Sequence, residues 1–332
     1  MNAMPRPVSF PSGFLWGCST SSYQIEGSTG ADGRGSSIWD AFCREPGRVA
    51  YGQTGDVACD SYRRAAEDVA LLAELGATAY RFSVAWPRVQ PSGSGSPVAA
   101  GIDYYSRLVD ALLASGVEPW ITLYHWDLPL ALGEKGGWTA RDTAYRFSDY
   151  AEIVYRALGD RVRHWVTLNE PWCSSFLGYR SGEHAPGLRD EKAAYRAVHH
   201  LMLAHGLARN AFRASGLDGE IGLVINAATP RPATGRPEDA LAARRASVER
   251  TGLWLDPAFG RGYPEAYLAA HGAALPIEEG DLDIVAGDLD FIGLNYYNED
   301  AVEAAPVGPE SPEGFRYVRT SREKTEMGWD IV

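Results

Sequence analysis

Short runs of β-branched and aromatic residues alternate along the chain with longer segments in which apolar residues recur every three or four positions. The short runs are typical of β-strands, and they are FLWGCSTSS (14–22), AYRFSVAW (79–86), EPWITLYHW (118–126), HWVTLNEP (164–171), EIGLVINA (220–227) and DFIGLNYYN (290–298). The longer segments, at 61–76, 101–116, 139–158 and 192–216, are typical of amphipathic helices. Gly76, Gly116 and Gly216 stand where helix C-termini favour glycine.

Six alternations of strand and helix predict a parallel sheet covered by helices. The strands are apolar nearly throughout, which is typical of strands buried on both faces. A doubly wound sheet fits the alternation equally well, but no GxGxxG or GxxxxGK[ST] motif follows any strand, so its nucleotide-binding form is disfavoured. No fixed-period repeat or low-complexity linker divides the chain. We therefore expect a single domain over residues 1–332.

Composition and charge disfavour several classes of function and partner. The 332 residues are 45% hydrophobic, enough for one large α/β barrel, and the formal net charge of -12 disfavours nucleic-acid and anionic-membrane partners. The N-terminal segment lacks the apolar stretch of a secretory signal, and no run is long enough to predict a membrane span. The scattered cysteines Cys18, Cys43, Cys59 and Cys173 form no CxxC pair, so we expect reduced thiols, no zinc site and a cytoplasmic protein.

Polar side chains collect at the carboxyl ends of the predicted strands, which form the working face of a parallel barrel. From the first strand to the sixth they are Gln24, Arg81, His125, Trp126, Asp127, Asn169, Glu170, Asn295 and Tyr297. Hydrogen-bonding groups beside aromatic faces suit a sugar, whose hydroxyls need partners and whose C–H faces stack on rings. Glycoside cleavage also needs a carboxylic acid that protonates the leaving oxygen. Glu170, at the end of a buried strand, is the candidate.

Two alternatives concern single residues of this face. Arg81 fits a structural ion pair inside the barrel as well as a place in the site, because a buried arginine needs a partner. Gln24 fits a simple bond to nearby backbone. His199, His200 and His205 lack the i, i+4 spacing of a helical metal site, and we interpret them as helix-packing residues.

Several ordered motifs resemble glycoside hydrolase family 1, the β-glucosidase family. They are FPSGFLWGCSTSSYQIEG, SIWD, YRFSVAWPRV, ITLYHWDLP, TLNEPW, GEHAPG and DFIGLNYYN, and the resemblance covers nearly the whole chain, from Phe10 to Trp329. The resemblance implies a (β/α)8 TIM barrel and retaining hydrolysis of β-glycosides or oligosaccharides without a metal or organic cofactor. About six of the eight strand–helix units are present.

The resemblance also implies roles for individual residues. Glu170 becomes the general acid and base, with Asn169 donating to the sugar 2-hydroxyl. Gln24, His125 and Trp126 hold the other hydroxyls of the glycone, the sugar whose bond is cleaved. Arg81, Asn295 and Tyr297 resemble residues that steady the second carboxylate and orient the site.

The second carboxylate of the family lies in an ITENG motif that ends the seventh strand, and a WSLxDNFEW segment follows the eighth. Neither motif occurs before the chain ends in TEMGWDIV. The acids after the sixth strand, from Glu299 to Asp330 and including Glu310, lie in polar, Pro- and Gly-containing sequence and are expected to be solvated loop residues. We therefore expect a C-terminally incomplete catalytic barrel whose nucleophile is not in this chain. An inactive sugar-binding protein, a half-barrel completed by a separate piece, and a 6-phospho-β-glucosidase are the alternatives.

Overall fold

The computed structural model describes residues 9–308, 311 and 313–332. Its strands are β1 (Gly17–Ser19), β2 (Ala79–Ser83), β3 (Glu118–Tyr124), β4 (His164–Asn169), β5 (Glu220–Asn226), β6 (Arg231–Pro232), β7 (Phe291–Asn295), β8 (Ala301–Ala304) and β9 (Phe315–Tyr317). The main sheet has the order β1-β2-β3-β4-β5-β7, and every neighbouring pair is parallel. The predicted six-strand parallel arrangement is thus confirmed, and the strands form a partial barrel.

The helices follow the predicted rhythm. The α-helices are α1 (Ser22–Ile25), α2 (Ile38–Arg44), α3 (Ser61–Glu74), α4 (Trp86–Val89), α5 (Ala99–Ala114), α6 (Leu130–Gly133), α7 (Asp142–Leu158), α8 (Glu191–Ser215), α9 (Pro237–Ser247), α10 (Leu253–Ala258), α11 (Glu265–His271) and α12 (Asp281–Val285). The four helices predicted from periodicity are α3, α5, α7 and α8. Gly76, Gly116 and Gly216 follow three of them with φ of 72°, 71° and 69°, the left-handed conformation expected of a glycine cap.

Burial differs between the middle and the outer strands. In β4 all residues after His164 are buried, and β3 and β5 are nearly as enclosed, because helices cover one face and barrel side chains the other. The expectation of full burial is wrong for the two outer strands. Residues 17–19 of β1 are exposed, and Leu294 of β7 is 62% exposed. Each outer strand has a neighbour on one side only among the described residues.

Periodicity did not predict several short elements. The strands β6, β8 and β9 form a second, small sheet against α9, with Ala242, Ala246, Val302 and Phe315 at its centre. Two segments, Cys173–Ser181 and Val248–Gly252, are π-helical. Such turns are rare and often occur at functional sites, and no simple sequence period marks them.

His199, His200 and His205 of α8 all lie in the protein interior. His199 contacts Asp281 and the Tyr263 hydroxyl, at 2.8 and 3.0 Å. His200 Nδ1 lies 2.9 Å from a backbone carbonyl, and His205 Nδ1 contacts a threonine hydroxyl of β4. Each ring faces a different neighbour, as helix-packing residues should. No metal-binding cluster of acidic, histidine or cysteine side chains and no helix able to cross a bilayer occurs in the described part of the chain.

A buried ion pair fixes the start of the chain against the sheet. Glu26 follows α1, and its Oε2 accepts a hydrogen bond from Arg88 Nε at 2.9 Å, while its Oε1 accepts one from the Tyr105 hydroxyl at 2.5 Å. Both charged side chains are almost fully enclosed. The guanidinium also lies 3.9 Å from the centre of the Tyr62 ring. The short helix that carries Gln24 is thereby anchored to α4, the short helix after β2.

We expect Glu26→Gln to lower the free energy of unfolding by about 3–5 kcal/mol, because it leaves the buried Arg88 guanidinium without its carboxylate. Urea unfolding followed by tryptophan fluorescence measures the change. Glu67→Gln, which breaks the solvent-exposed pair with Arg64, is the matched control and should leave the midpoint in place. Equal midpoints for the two variants would show that the interior pair does not anchor the fold.

Candidate active site

The carboxyl ends of the main-sheet strands surround a cavity of about 740 Å3. Of the residues predicted for this face, those that line the cavity are Gln24, Arg81, His125, Trp126, Glu170, Asn295 and Tyr297. Asn169 is buried directly behind the wall, and its side chain contacts three of them. The sheet therefore brings the predicted residues together, as the convergence of parallel strands requires.

Glu170 lies at the point where β4 turns into the cavity. Its φ of 48° is in the left-handed region, and its backbone N–H donates to the Val224 carbonyl at 2.8 Å, so the neighbouring strand holds this strained turn. The side chain is only 4% exposed. Asn295 Nδ2 donates to Oε1 at 2.5 Å, while the Cys173 thiol at 3.1 Å and Asn226 Nδ2 at 3.4 Å donate to Oε2. Both carboxyl oxygens therefore have fixed partners.

Arg81 supplies positive charge to the cavity and has no carboxylate partner among the described residues. Its Nη2 donates to Asn169 Oδ1 at 2.6 Å and its Nε to Thr122 Oγ1 at 2.9 Å, while Nη1 lies 3.5 Å from Asn295 Oδ1. Burial lowers the pKa of Arg81 to about 10, although the nearby Glu170 opposes this shift, so the group stays charged at neutral pH. The alternative of a structural ion pair is not observed among the described residues.

Hydrogen bonds fix the tautomer of His125. Asn169 Oδ1 accepts from both Arg81 and Asn295, so its Nδ2 faces His125 Nε2, at 3.1 Å. Because an amide nitrogen donates, Nε2 accepts and the ring proton lies on Nδ1, which is buried without a partner among the described residues. Burial, followed by the charge of Arg81, holds the pKa of His125 well below its ordinary value. The ring is a neutral donor.

Aromatic rings form one wall of the cavity. Trp126 has a φ of 86°, and its Nε1 donates to the Asn169 carbonyl at 2.9 Å, which fixes the indole. The Trp39 ring is stacked on it with the centroids 6.4 Å apart, and the His184 ring lies 5.0 Å away. Apolar faces next to fixed polar atoms are what a sugar ring needs. Tyr297 lies on another side of the cavity, 5.3 Å from the Trp329 ring.

Residues 6–332 match the family described as glycosyl hydrolase family 1. The chain belongs to glycosyl hydrolase family 1. It is 45% identical over 325 residues to the 1,4-beta-D-glucan glucohydrolase of Thermotoga neapolitana and 46% identical over 324 residues to the beta-glucosidase of Agrobacterium sp.. Each alignment covers 97% of this chain, and it covers 76% of the first relative and 71% of the second.

Solved structures agree with this family 1 assignment. The family 1 β-glucosidase from Thermotoga maritima superposes with a TM-score of 0.93 at 45% identity, covering 97% of this chain and 72% of that one. The same enzyme has been solved in complex with deoxynojirimycin, again with a TM-score of 0.93. The predicted TIM-barrel class and the glycoside hydrolase assignment are therefore confirmed, and the chain spans about three quarters of these relatives.

The family 1 site also contains residues that the sequence did not reveal. Trp172 lines the cavity; its Nε1 donates to Glu249 Oε1 at 3.1 Å, and the Arg250 guanidinium lies 3.5 Å from the centre of its ring. Arg180 forms a bidentate pair with Glu249, at 2.8 and 2.9 Å. These residues come from the two π-helical segments, so only the folded chain brings them to Trp172. Asn226 ends β5. The rule that polar residues at the carboxyl ends of the strands lie at the site could therefore have predicted it.

The acids after β7 mostly have other partners. Glu299 pairs with Arg231 and Arg322, Glu303 with Arg316, Glu313 with His271, and Asp330 with Lys324. Glu323 and Glu326 are exposed, and Glu310 lies outside the described residues. Asp300 does reach the cavity, where it accepts from Asn298 at 3.0 Å and lies 3.5 Å from Arg250.

Asp127 joins the loop after β3 to α1 beneath the cavity. It is fully buried, its Oδ2 accepts from the Ser22 hydroxyl at 2.6 Å, and its Oδ1 has no partner among the described residues. Burial raises the pKa of this carboxyl to about 7 from an ordinary value of 3.8, with Ser22 opposing the shift. The interior therefore favours the protonated acid.

A pH series tests this linkage. Because the folded-state pKa is raised, the contribution of Asp127 to stability is fully present below pH 3.8 and is lost as the pH rises through about 7. We expect the free energy of unfolding of the natural chain, minus that of Asp127→Asn, to fall by roughly 4 kcal/mol between pH 4 and pH 7.5. Urea unfolding of both chains across this range measures the difference. A difference that stays constant or rises would contradict the assignment; the exposed Asp283→Asn is the control.

Proposed function

We propose that this chain carries the sugar-binding and acid–base part of a retaining β-glucosidase, in a single catalytic domain over residues 1–332. The observation that carries the proposal is Glu170, an enclosed carboxyl group held on both oxygens at the edge of a cavity with aromatic walls and fixed donors. Glycosidases need such a residue to protonate the departing oxygen. The relatives are named as a glucohydrolase and a beta-glucosidase, which supports the same reaction.

The substrate we infer is a neutral β-glucoside or a β-linked oligosaccharide. The exposed Gln24 amide offers a donor and an acceptor, Trp126 offers an apolar face, and the neutral His125 ring lines the same cavity. The Oδ1 of Asn169 already accepts two hydrogen bonds. Asn169 would therefore donate to a sugar hydroxyl through its amide nitrogen. The Thermotoga maritima complex with deoxynojirimycin is consistent with a ligand of sugar size.

Glu170 has two tasks in this mechanism. As an acid it gives its proton to the glycosidic oxygen while the bond to the anomeric carbon breaks, and as a base it later takes a proton from the water that attacks that carbon. The first step leaves the sugar on a second carboxylate about 5–5.5 Å away. The described carboxylates of the cavity are Glu170, Glu183 and Asp300, and Asp300 already has partners. We propose that a carboxylate outside these 332 residues is the nucleophile.

Arg81, Asn295 and Tyr297 fit the task of keeping that nucleophile ionised. Arg81 has no carboxylate partner among the described residues and keeps its charge, and Asn295 joins it to Glu170. Burial, followed by the charge of Glu170, raises the pKa of the Tyr297 phenol, which therefore stays a hydrogen-bond donor. Positive charge and neutral donors both favour an ionised neighbour.

A sugar-binding protein without turnover is the second candidate. The specific observation in its favour is that the described cavity carboxylates besides Glu170 are Asp300, which already has partners, and Glu183, which lies at the exposed rim. A 6-phosphoglucoside is less well supported, because Arg180 is already paired with Glu249 and Arg250 lies against Trp172 and Asp300. We also propose a cytoplasmic location, which all four cysteines support by being unpaired.

The acid–base role predicts a dependence on the leaving group. In the natural protein, Glu170→Gln should lower kcat/KM for methyl β-glucoside by about 10²- to 10⁴-fold, because an alkoxide leaves only when protonated. The loss should be far smaller for 2,4-dinitrophenyl β-glucoside, whose phenolate departs unaided. Glu183→Gln, at the exposed rim of the same cavity, is the matched control. Full activity of Glu170→Gln on both substrates would exclude the role.

If no turnover is found with either substrate, calorimetry with deoxynojirimycin separates the remaining candidates. Binding that weakens in His125→Ala supports the sugar-binding protein. Absence of binding excludes it.

A further inference from the structure

The two oxygens of the Glu170 carboxyl group have different environments. Oε1 accepts one hydrogen bond, from Asn295 Nδ2, whereas Oε2 faces two donors, the Cys173 thiol and Asn226 Nδ2. A carboxyl oxygen has two lone pairs. Both lone pairs of Oε2 are therefore used, and one lone pair of Oε1 is left for a proton.

The thiol is oriented by its own neighbour. Asn226 Nδ2 lies 3.6 Å from Cys173 Sγ and 3.4 Å from Glu170 Oε2, so one amide N–H is shared between the sulfur and the carboxyl oxygen while the S–H points to Glu170. A thiol is both a weak donor and a weak acceptor, which this relay requires. The three side chains come from the end of β4, the following π-helical segment and the end of β5.

Backbone geometry explains why Cys173 reaches Glu170. The left-handed turn at Glu170 is followed directly by a helical turn, in which the Cys173 N–H donates to the Glu170 carbonyl at 2.9 Å. The side chains of residues three apart then lie on the same side. Asn226 is adjacent because β5 pairs with β4, where a register shift between Val166 and Asn169 brings Asn169 opposite Val224.

The thiol keeps its proton in this environment. Burial, followed by the negative charge of Glu170, raises the pKa of Cys173 well above its ordinary value. The residue is thus a neutral donor, and the role of a nucleophilic thiolate is disfavoured.

We propose that Cys173 is a positioning residue for the acid–base step: with Asn226 it occupies Oε2 of Glu170 and directs the transferable proton to Oε1. This inference rests on the proposed function of Glu170. In bond cleavage the O–H bond at Oε1 breaks as the glycosidic oxygen takes the proton. In the second step Oε1 takes a proton from water as the water oxygen bonds to the anomeric carbon and the bond from that carbon to the nucleophilic carboxylate breaks.

Kinetics on two leaving groups test the positioning role in the natural protein. Cys173→Ala should lower kcat/KM for methyl β-glucoside by about 3- to 10-fold, the value of one hydrogen bond, and change that for 2,4-dinitrophenyl β-glucoside by less than about 2-fold. Cys173→Ser, which restores a donor at the same place, should recover most of the loss. Equal effects on both substrates, or none on either, would overturn the proposal.

A spectroscopic test does not depend on turnover. The infrared S–H stretching band of Cys173 is identified in the 332-residue chain as the band missing from Cys173→Ala. We expect this band to shift to higher frequency in Glu170→Gln, because an amide group is a weaker acceptor than a carboxylate. An unchanged band would show that the thiol does not donate to Glu170.

The kinetics of Glu170→Gln distinguish a failure of the proposed function from a failure of the positioning role of Cys173. If that variant retains activity on methyl β-glucoside, the proposed function fails, whatever Cys173 does. If it loses activity while Cys173→Ala behaves as the natural protein, only the positioning role fails.

Discussion

The Arg81 guanidinium joins four strands of the main sheet at the cavity. From β2 it donates to Thr122 in β3 and to Asn169 at the end of β4, and it approaches Asn295 at the end of β7; the two amides also contact each other. Because its partners among the described residues are amides and a hydroxyl and not a carboxylate, the positive charge of this enclosed guanidinium is not neutralised and acts on the cavity. The amide nitrogen of Asn169 faces His125 and fixes its tautomer, and the amide nitrogen of Asn295 donates to Glu170 and orients it.

Much of this arrangement follows from the sequence because parallel strands impose it. Buried apolar strands that end in polar residues predicted a common edge. The predicted residues line the cavity, except for Asn169, which is buried directly behind its wall, and Asp127, which lies beneath it. The family motifs predicted the barrel class, which the fold and the comparisons confirm. Helix periodicity likewise placed α3, α5, α7 and α8 to within a few residues.

Other features depend on backbone conformations that no periodicity encodes. The left-handed turns at Trp126 and Glu170 and the two π-helical segments decide which side chains meet Trp172 and the Glu170 carboxyl group. The sequence could not reveal Cys173 as a partner of Glu170, because their contact needs both the turn and the helix that follows it. The exposure of β1 and β7 also escaped prediction, since an apolar run does not show which strand lies at the edge of a sheet.

We propose Glu170 as the acid and base of a two-carboxylate retaining site. The most direct test of this role is to treat the natural protein and its Glu170→Gln variant with a 2-deoxy-2-fluoro β-glucoside bearing a good leaving group, and to locate the trapped sugar by intact and peptide mass. We expect one fluorosugar on a carboxylate other than Glu170, with a longer lifetime in the variant because water is then not activated. A fluorosugar on Glu170 itself, or no adduct on either protein, would show that Glu170 is not the acid and base of such a site.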